Sequence, residues 1–137
     1  MSKRLLVWID GAARGNPGPS GIGVHIEDES GDVLKEVSDY LGIDFTNNQA
    51  EYHALLRALK ECETLGAEEV VVRSDSQLLV RQMNGRYKVR SSNIKDLYNE
   101  ALGIEASFDN VSYVHVGRED NTEADELANK AIDEEDE

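Results

Sequence analysis

The residues that most constrain the fold are 4–10, RLLVWID, in which residues 5–9 are apolar at odd and even positions alike before Asp10. Successive side chains of a strand point to opposite faces, so a strand that is apolar on both must be covered on both. The segment therefore predicts a central strand of a sheet with helices on its two faces. The glycine- and proline-rich run GAARGNPGP follows and reads as a loop.

Residues 20–28 and 33–41 read as two more strands joined by a turn at Glu29–Asp32. From Asn47 to Leu65 the apolar period becomes helical, with Ala50, Ala54, Leu55, Ala58, Leu59, Cys62 and Leu65 on one stripe. Thr46 and Gln49 have the spacing of a capping box at its start, and Gly66 closes it. Residues 69–74 form a fourth strand, followed by a short helix over 76–83 that stops at Asn84–Gly85. A helix over 93–106, a fifth strand over 110–116 and a last helix over 122–132 complete the order β-β-β-α-β-α-α-β-α. Short links make the first three strands antiparallel, and helical crossovers make the later ones parallel. The expected class is α/β, a mixed five-stranded sheet flanked by helices. One domain spans 1–132, and 133–137 is an acidic, disordered tail.

A chain of 137 residues with 39% hydrophobic residues can bury one sizeable core. No apolar run approaches the ~18 residues of a membrane span. The basic residues at the start lead directly into a strand, unlike a secretory signal. A single cysteine, Cys62, excludes an internal disulfide framework and suits a reducing compartment. These features predict a cytoplasmic, monomeric protein with no membrane partner. Twenty-eight acidic residues against fourteen basic ones give a net charge of −14, and setting aside the −5 of 133–137 still leaves −9. Taken alone, that balance argues against a nucleic-acid partner, because phosphate binding normally rests on Lys and Arg. It also fits adaptation to high salt, where self-repulsion is screened, and ordinary cytoplasmic acidity is the alternative.

Among so many carboxylates, the informative ones occupy positions where a solvated charge is a liability. Asp10 ends the most apolar strand, although a strand-ending turn former would sit there too. Glu51 precedes Ala54 and Leu55 by three and four residues, which puts it on the apolar stripe of its helix, unless it snorkels from the edge. Asp75 follows Val70–Val72 at a strand's carboxyl end, where an N-cap is the alternative. Asp125 opens the last helix, where Thr122-x-x-Asp125 also has capping-box spacing.

Together the four are more pointed. Asp10 and Asp75 lie at the carboxyl edge, where open α/β sheets place ligands, and Glu51 and Asp125 begin helices that could flank it. With no Lys or Arg as an evident partner, four converging carboxylates need cations to stay ionised. Hard oxygen ligands favour Mg²⁺ or Mn²⁺. Two such ions ~3.5–4 Å apart stabilise both the attacking and the leaving oxygen of a phosphoryl displacement. The pattern predicts a metal-dependent phosphodiesterase.

Four segments carry a resemblance over nearly the whole chain: IDGAARGNPGPSGIG, TNNQAEYHALLRAL, VRSDSQLLVRQMNG and VGREDNTEADELANKA. In this order they resemble the type 1 ribonuclease H family. The resemblance implies that Asp10, Glu51, Asp75 and Asp125 bind two Mg²⁺ or Mn²⁺ ions. It also implies that water attacks phosphorus in the RNA strand of an RNA–DNA hybrid, leaving 5′-phosphate and 3′-hydroxyl ends. Double-stranded RNA is a second candidate substrate. Substrate contacts carry over to Gly11, Asn16, Asn47, Asn48 and Gln77, in positions that meet the hybrid's minor groove. There the 2′-hydroxyl distinguishes RNA from DNA. Helix capping and turn formation are the alternative roles of the asparagines.

Two departures stand out. Many members carry a histidine in the loop before the fourth carboxylate. Here an ungapped count reaches His115, but the strand VSYVHV runs through it, so Arg118 is read as the loop residue and His115 as structural. Arg118 cannot act as a base at neutral pH, which leaves phosphate binding or product release. Between Asn84 and Ala101, where some members insert a basic helix and loop, GRYKVRSSNIKDLYNEA is short and carries only Arg86, Lys88, Arg90 and Lys95. The resemblance is thus to the short type without the basic insertion. Competing readings are a non-catalytic hybrid-binding module, another nuclease of the same fold, and an acidic α/β protein whose carboxylates merely cap helices.

Overall fold

The computed structural model describes residues 3–135. Five strands, β1 (Arg4–Ala13), β2 (Gly18–Asp28), β3 (Val33–Phe45), β4 (Glu69–Ser74) and β5 (Asn110–His115), form one sheet in the order β3-β2-β1-β4-β5. Pairs β1–β2 and β2–β3 are antiparallel, while β1–β4 and β4–β5 are parallel. Helices α1 (Asn47–Thr64), α2 (Gln77–Met83), α3 (Ser92–Glu105) and α4 (Thr122–Glu135) complete the chain, with a 3-10 turn over Arg118–Asp120. The mixed sheet and the order of elements are those read from the sequence.

Leu5, Val7 and Ile9 of β1 share one face with Val24 and Ile26 of β2 and Val70 and Val72 of β4, all buried with Leu55 and Leu59 of α1. The capping box holds the start of α1. Thr46 Oγ1 accepts from Gln49 N at 3.1 Å, and Gln49 Oε1 accepts from Thr46 N at 2.8 Å. On the opposite face α4 lies almost directly on β2. A Cβ at Gly23 would stand 2.0 Å from Ala124 O, and one at Gly21 would stand 2.6 Å from Ala128 O. Alternate glycines on the strand and alanines one helical turn apart let the two backbones approach closely.

Three boundaries differ most from the sequence reading. β1 does not stop at Asp10: it continues to Ala13, paired with β2 as far as Ala13↔Ser20, although its pairing with β4 ends at Ile9↔Ser74. Residues taken for loop on account of their glycine are strand because β2 supplies a ladder. β3 likewise runs to Phe45, past a register irregularity between Ser20↔Gly42 and Gly21↔Tyr40. Finally, α4 continues through Glu135, so Asp133–Glu135 are helical rather than part of a disordered tail, with Arg14 Nη2 paired to Asp133 Oδ1 at 2.6 Å. Positions 136 and 137 of that expected tail lie outside the described residues.

Candidate active site

The end of the β1–β4 pairing creates the site. Beyond Ile9↔Ser74 the two strands part, and β1 carries Asp10 and Gly11 onward without a neighbour on that side. Gly11 is where α1 meets the strand: a Cβ there would lie 2.2 Å from the carbonyl carbon of Ala50 and 2.3 Å from Glu51 N. Only glycine permits that approach, and it brings Glu51 next to Asp10. Asp10, in register with Gly23, shares the strand face of Leu6 and Trp8, which is the α4 side, and there Asp125 is one of the carboxylates that oppose its charge.

Asp10, Gly11, Asn47, Glu51, Asp75, Arg118 and Asp125 line one open cavity of about 650 Å³. Asp10 and Glu51 are buried, at 9% and 7% exposure, while Asp75 and Asp125 are half-buried. Neither half-buried aspartate takes the capping role that was its alternative. Ser76 is the side-chain cap of α2, accepting from Leu79 N at 3.2 Å. Thr122 is the first residue of α4, and the N–H of Asp125 goes to the carbonyl of Asn121 at 3.1 Å.

Burial pushes the Asp10 carboxyl up to about 9, helped by the charge of Asp75, the hydrogen bond and charge of Asp125, and the charge of Glu51. Glu51 rises to about 7, chiefly through burial and then against hydrogen bonds from Ser76 and Asn47; the Asp75 charge adds to the rise. The Asn47 amide donates to Glu51 Oε1 at 2.8 Å. Metal-free, the cleft holds protons where cations would neutralise it. Among the described residues no three His, Cys, Asp or Glu side chains form a preformed metal cage.

The remaining expected residues fall in three places. Asn16 and Asn48 line an adjoining hollow of about 230 Å³ with Thr46, Asn47, Ser91, Asn93 and Ile94. Asn16 Oδ1 also accepts from Asn47 N at 3.0 Å, so it ties the β1–β2 loop to the start of α1. Gln77 is exposed at the start of α2 and lines neither cavity. His115 ends β5 and Arg118 opens the 3-10 turn, as read, yet His115 is exposed and lines the same cavity as Arg118.

Sequence reasoning missed Arg14 and Asn129, which also line the cavity. Arg14 and Arg118 are thus cations at a site that the sequence presented without an evident basic partner. Asn129 Nδ2 donates to Asp125 O at 3.0 Å and Asp125 Oδ1 at 3.3 Å, and its Oδ1 accepts from Arg14 Nη2 at 3.3 Å. The available signal was its place four residues after Asp125, one helical turn along the same face.

The strand order and the carboxylate cleft where β1 parts from β4 define a ribonuclease H-like α/β protein. Residues 9–131 match the family described as reverse transcriptase-like. A bifunctional protein of Mycobacterium tuberculosis is 42% identical over 132 residues, covering 95% of this chain and 36% of the relative, so the chain spans about a third of that protein's length. The crystal structure of ribonuclease H1 from the halophilic archaeon Halobacterium salinarum superposes with a TM-score of 0.92 at 37% identity, covering 96% of this chain and 98% of that one. The LC11 ribonuclease H1, solved in complex with an RNA/DNA hybrid, gives 0.92 at 46% identity, with 97% and 99% covered. The chain belongs to the type 1 ribonuclease H family.

Proposed function

We propose that this chain is a divalent-metal-dependent endoribonuclease that hydrolyses the RNA strand of RNA–DNA hybrids, leaving 5′-phosphate and 3′-hydroxyl ends. The observation that carries this reading is one cleft lined by Asp10, Glu51, Asp75 and Asp125, with the first two buried among charges that need neutralising. Those four residues would hold two Mg²⁺ or Mn²⁺ ions, which supply charge neutralisation and water activation for an in-line displacement. A water oxygen bonds to phosphorus, the P–O3′ bond breaks, and the displaced oxygen takes up a proton as the 3′-hydroxyl.

The chain's own part is placement. Gly11 fixes the separation of β1 from α1, and the Asn47 amide holds Glu51 Oε1. Arg118 offers a fixed positive charge to phosphate or departing product, because its guanidinium keeps its proton. The neutral groups of Gly11, Asn16, Asn47, Asn48 and Gln77 meet sugar and base edges, where a 2′-hydroxyl contact selects the RNA strand. The protein acts as a monomer.

Digestion of strand-labelled RNA–DNA hybrid, duplex DNA and duplex RNA, with and without Mg²⁺ or Mn²⁺, tests the activity and its substrate range. Asp75→Asn should abolish cleavage with the fold intact, since it removes the charge that a hard cation requires while keeping the side chain's size. Near-normal cleavage by this variant sinks the two-metal assignment.

A further inference from the structure

Asn121 stands where three pieces of the site meet. It follows the 3-10 turn that begins at Arg118 and directly precedes α4, which carries Asp125. Its backbone N–H donates to Arg118 O at 3.1 Å, and its carbonyl accepts from Asp125 N at 3.1 Å. Its side chain, with 0% exposure, crosses to β1, where Nδ2 donates to Ile9 O at 2.9 Å, one residue before Asp10. A single asparagine thus bonds to the backbone of Arg118 and of Asp125, and to the carbonyl adjoining Asp10.

An asparagine before a helix ordinarily serves as a cap, with an extended backbone and its oxygen accepting an N–H of the first turn. Asn121 does neither. Its backbone lies at φ −129° and ψ 27°. Its Oδ1 is the one buried side-chain polar atom without a hydrogen-bond partner among the described residues. Leaving a buried acceptor unpaired costs stability, so the amide has given up capping in order to aim its N–H₂ at β1. Such a departure from local optimum at a site edge points toward function.

We infer that Asn121 is a positioning residue, which clamps the start of α4 and the Arg118 turn to β1 so that Asp10 and Asp125 stand together as one cation-binding edge. The inference rests on the metal-dependent reading above. It needs no contact between Asn121 and substrate. Partners that orient ligating carboxylates typically matter about 10- to 100-fold in metal affinity or activity when removed.

Asn121→Ser separates clamping from capping, because serine caps as well as asparagine does but is too short to reach Ile9 O. The expected result is a folded protein with hybrid KM near wild type, kcat lowered about 10-fold or more, and the Mg²⁺ midpoint raised to match. Calorimetric titration of Mg²⁺ or Mn²⁺ into the hybrid-free protein should show the same weakening, which a role confined to stability would not produce. Wild-type kcat with an unmoved Mg²⁺ midpoint, or a change in KM alone, overturns the inference. If Asn121→Ser does not fold, NMR of the wild type decides. The Asn121 side-chain amide protons should exchange slowly and shift as Mg²⁺ binds, and fast exchange or no response overturns the clamp. Asp75→Asn run alongside keeps the two ideas apart, since its retained cleavage refutes the metal reading itself.

Discussion

Asp10→Asn should stabilise the metal-free protein while abolishing its activity, and the size of the gain should depend on pH. The substitution keeps the side chain's shape in a site only 9% exposed but removes the charge that burial and three neighbouring carboxylates oppose. The folded-state value near 9 lies above the ordinary 3.8, so the native protein holds a proton that the unfolded chain releases. The stabilisation from that proton is fully present below about pH 4 and is lost as pH rises toward 9. Each pH unit in this window is worth about 1.4 kcal/mol, so by pH 7 the wild type has lost at most about 4 kcal/mol. Water entering the open cleft reduces the loss, and about 2 kcal/mol is the working figure, or a rise in Tm of about 6 °C for a domain of this size.

The assay is calorimetry of both proteins in chelator between about pH 5 and pH 9, repeated with Mg²⁺. The gap should widen with pH in chelator. It should close or reverse with Mg²⁺, because the wild type gains a bound cation that the asparagine cannot hold as well. An equal gap at every pH would trace the effect to packing. No gap at all would mean that Asp10 is not strained by its neighbours, and the electrostatic account of the cleft would fall.

Arg118→Ala should lower kcat more than it raises KM, whereas His115→Ala, truncating an exposed side chain, should change stability by less than about 0.5 kcal/mol; steady-state kinetics showing the larger kcat loss at His115 would reverse the two roles. His25 is buried between Glu36, 2.8 Å from Nδ1, and Glu27, 2.7 Å from Nε2, and although burial lowers its pKa, the two carboxylates raise it overall. Its stabilising charge is present below about pH 6.5 and is lost as pH rises through the folded value, so a proton NMR midpoint below 6.5 would contradict the geometry. Residues 3–135 carry −12, so a KCl series from ~0.01 M to ~1 M, which shortens the Debye length from ~30 Å to ~3 Å, should raise Tm. Cleavage should persist at molar salt because few basic residues displace phosphate counterions; unchanged stability with activity lost above ~0.2 M would refute the high-salt reading.

The sheet was legible wherever local pattern and tertiary context agree. The two-faced apolarity of 4–10 demands a central strand, and the Thr46–Gln49 pair states where α1 begins. It was illegible where a partner strand overrides composition. Gly11, Ala12 and Ala13 have little strand preference of their own, and only the β2 ladder, from Asp10↔Gly23 to Ala13↔Ser20, makes them strand. The same holds at Gly42, whose φ of +132° carries β3 through an irregularity that composition marks as an end.

The four carboxylates were legible because each stands where the sequence would otherwise place an apolar or capping residue. What holds them was not, because it is made of long-range backbone approach. Gly11 against Ala50 brings α1 to β1, and Gly23 against Ala124 brings α4 to β2. Neither glycine sits at a turn or a positive φ, so nothing local distinguishes it from a weak strand position. Asn121 was hidden for the opposite reason: before a helix an asparagine looks fully explained as a cap, and only its bond to Ile9 O and its unpaired oxygen show otherwise. The candidate ligands announce themselves by being costly where they stand. The groups that position them are cheap, common residue types, and their role exists only once the distant segment is in place.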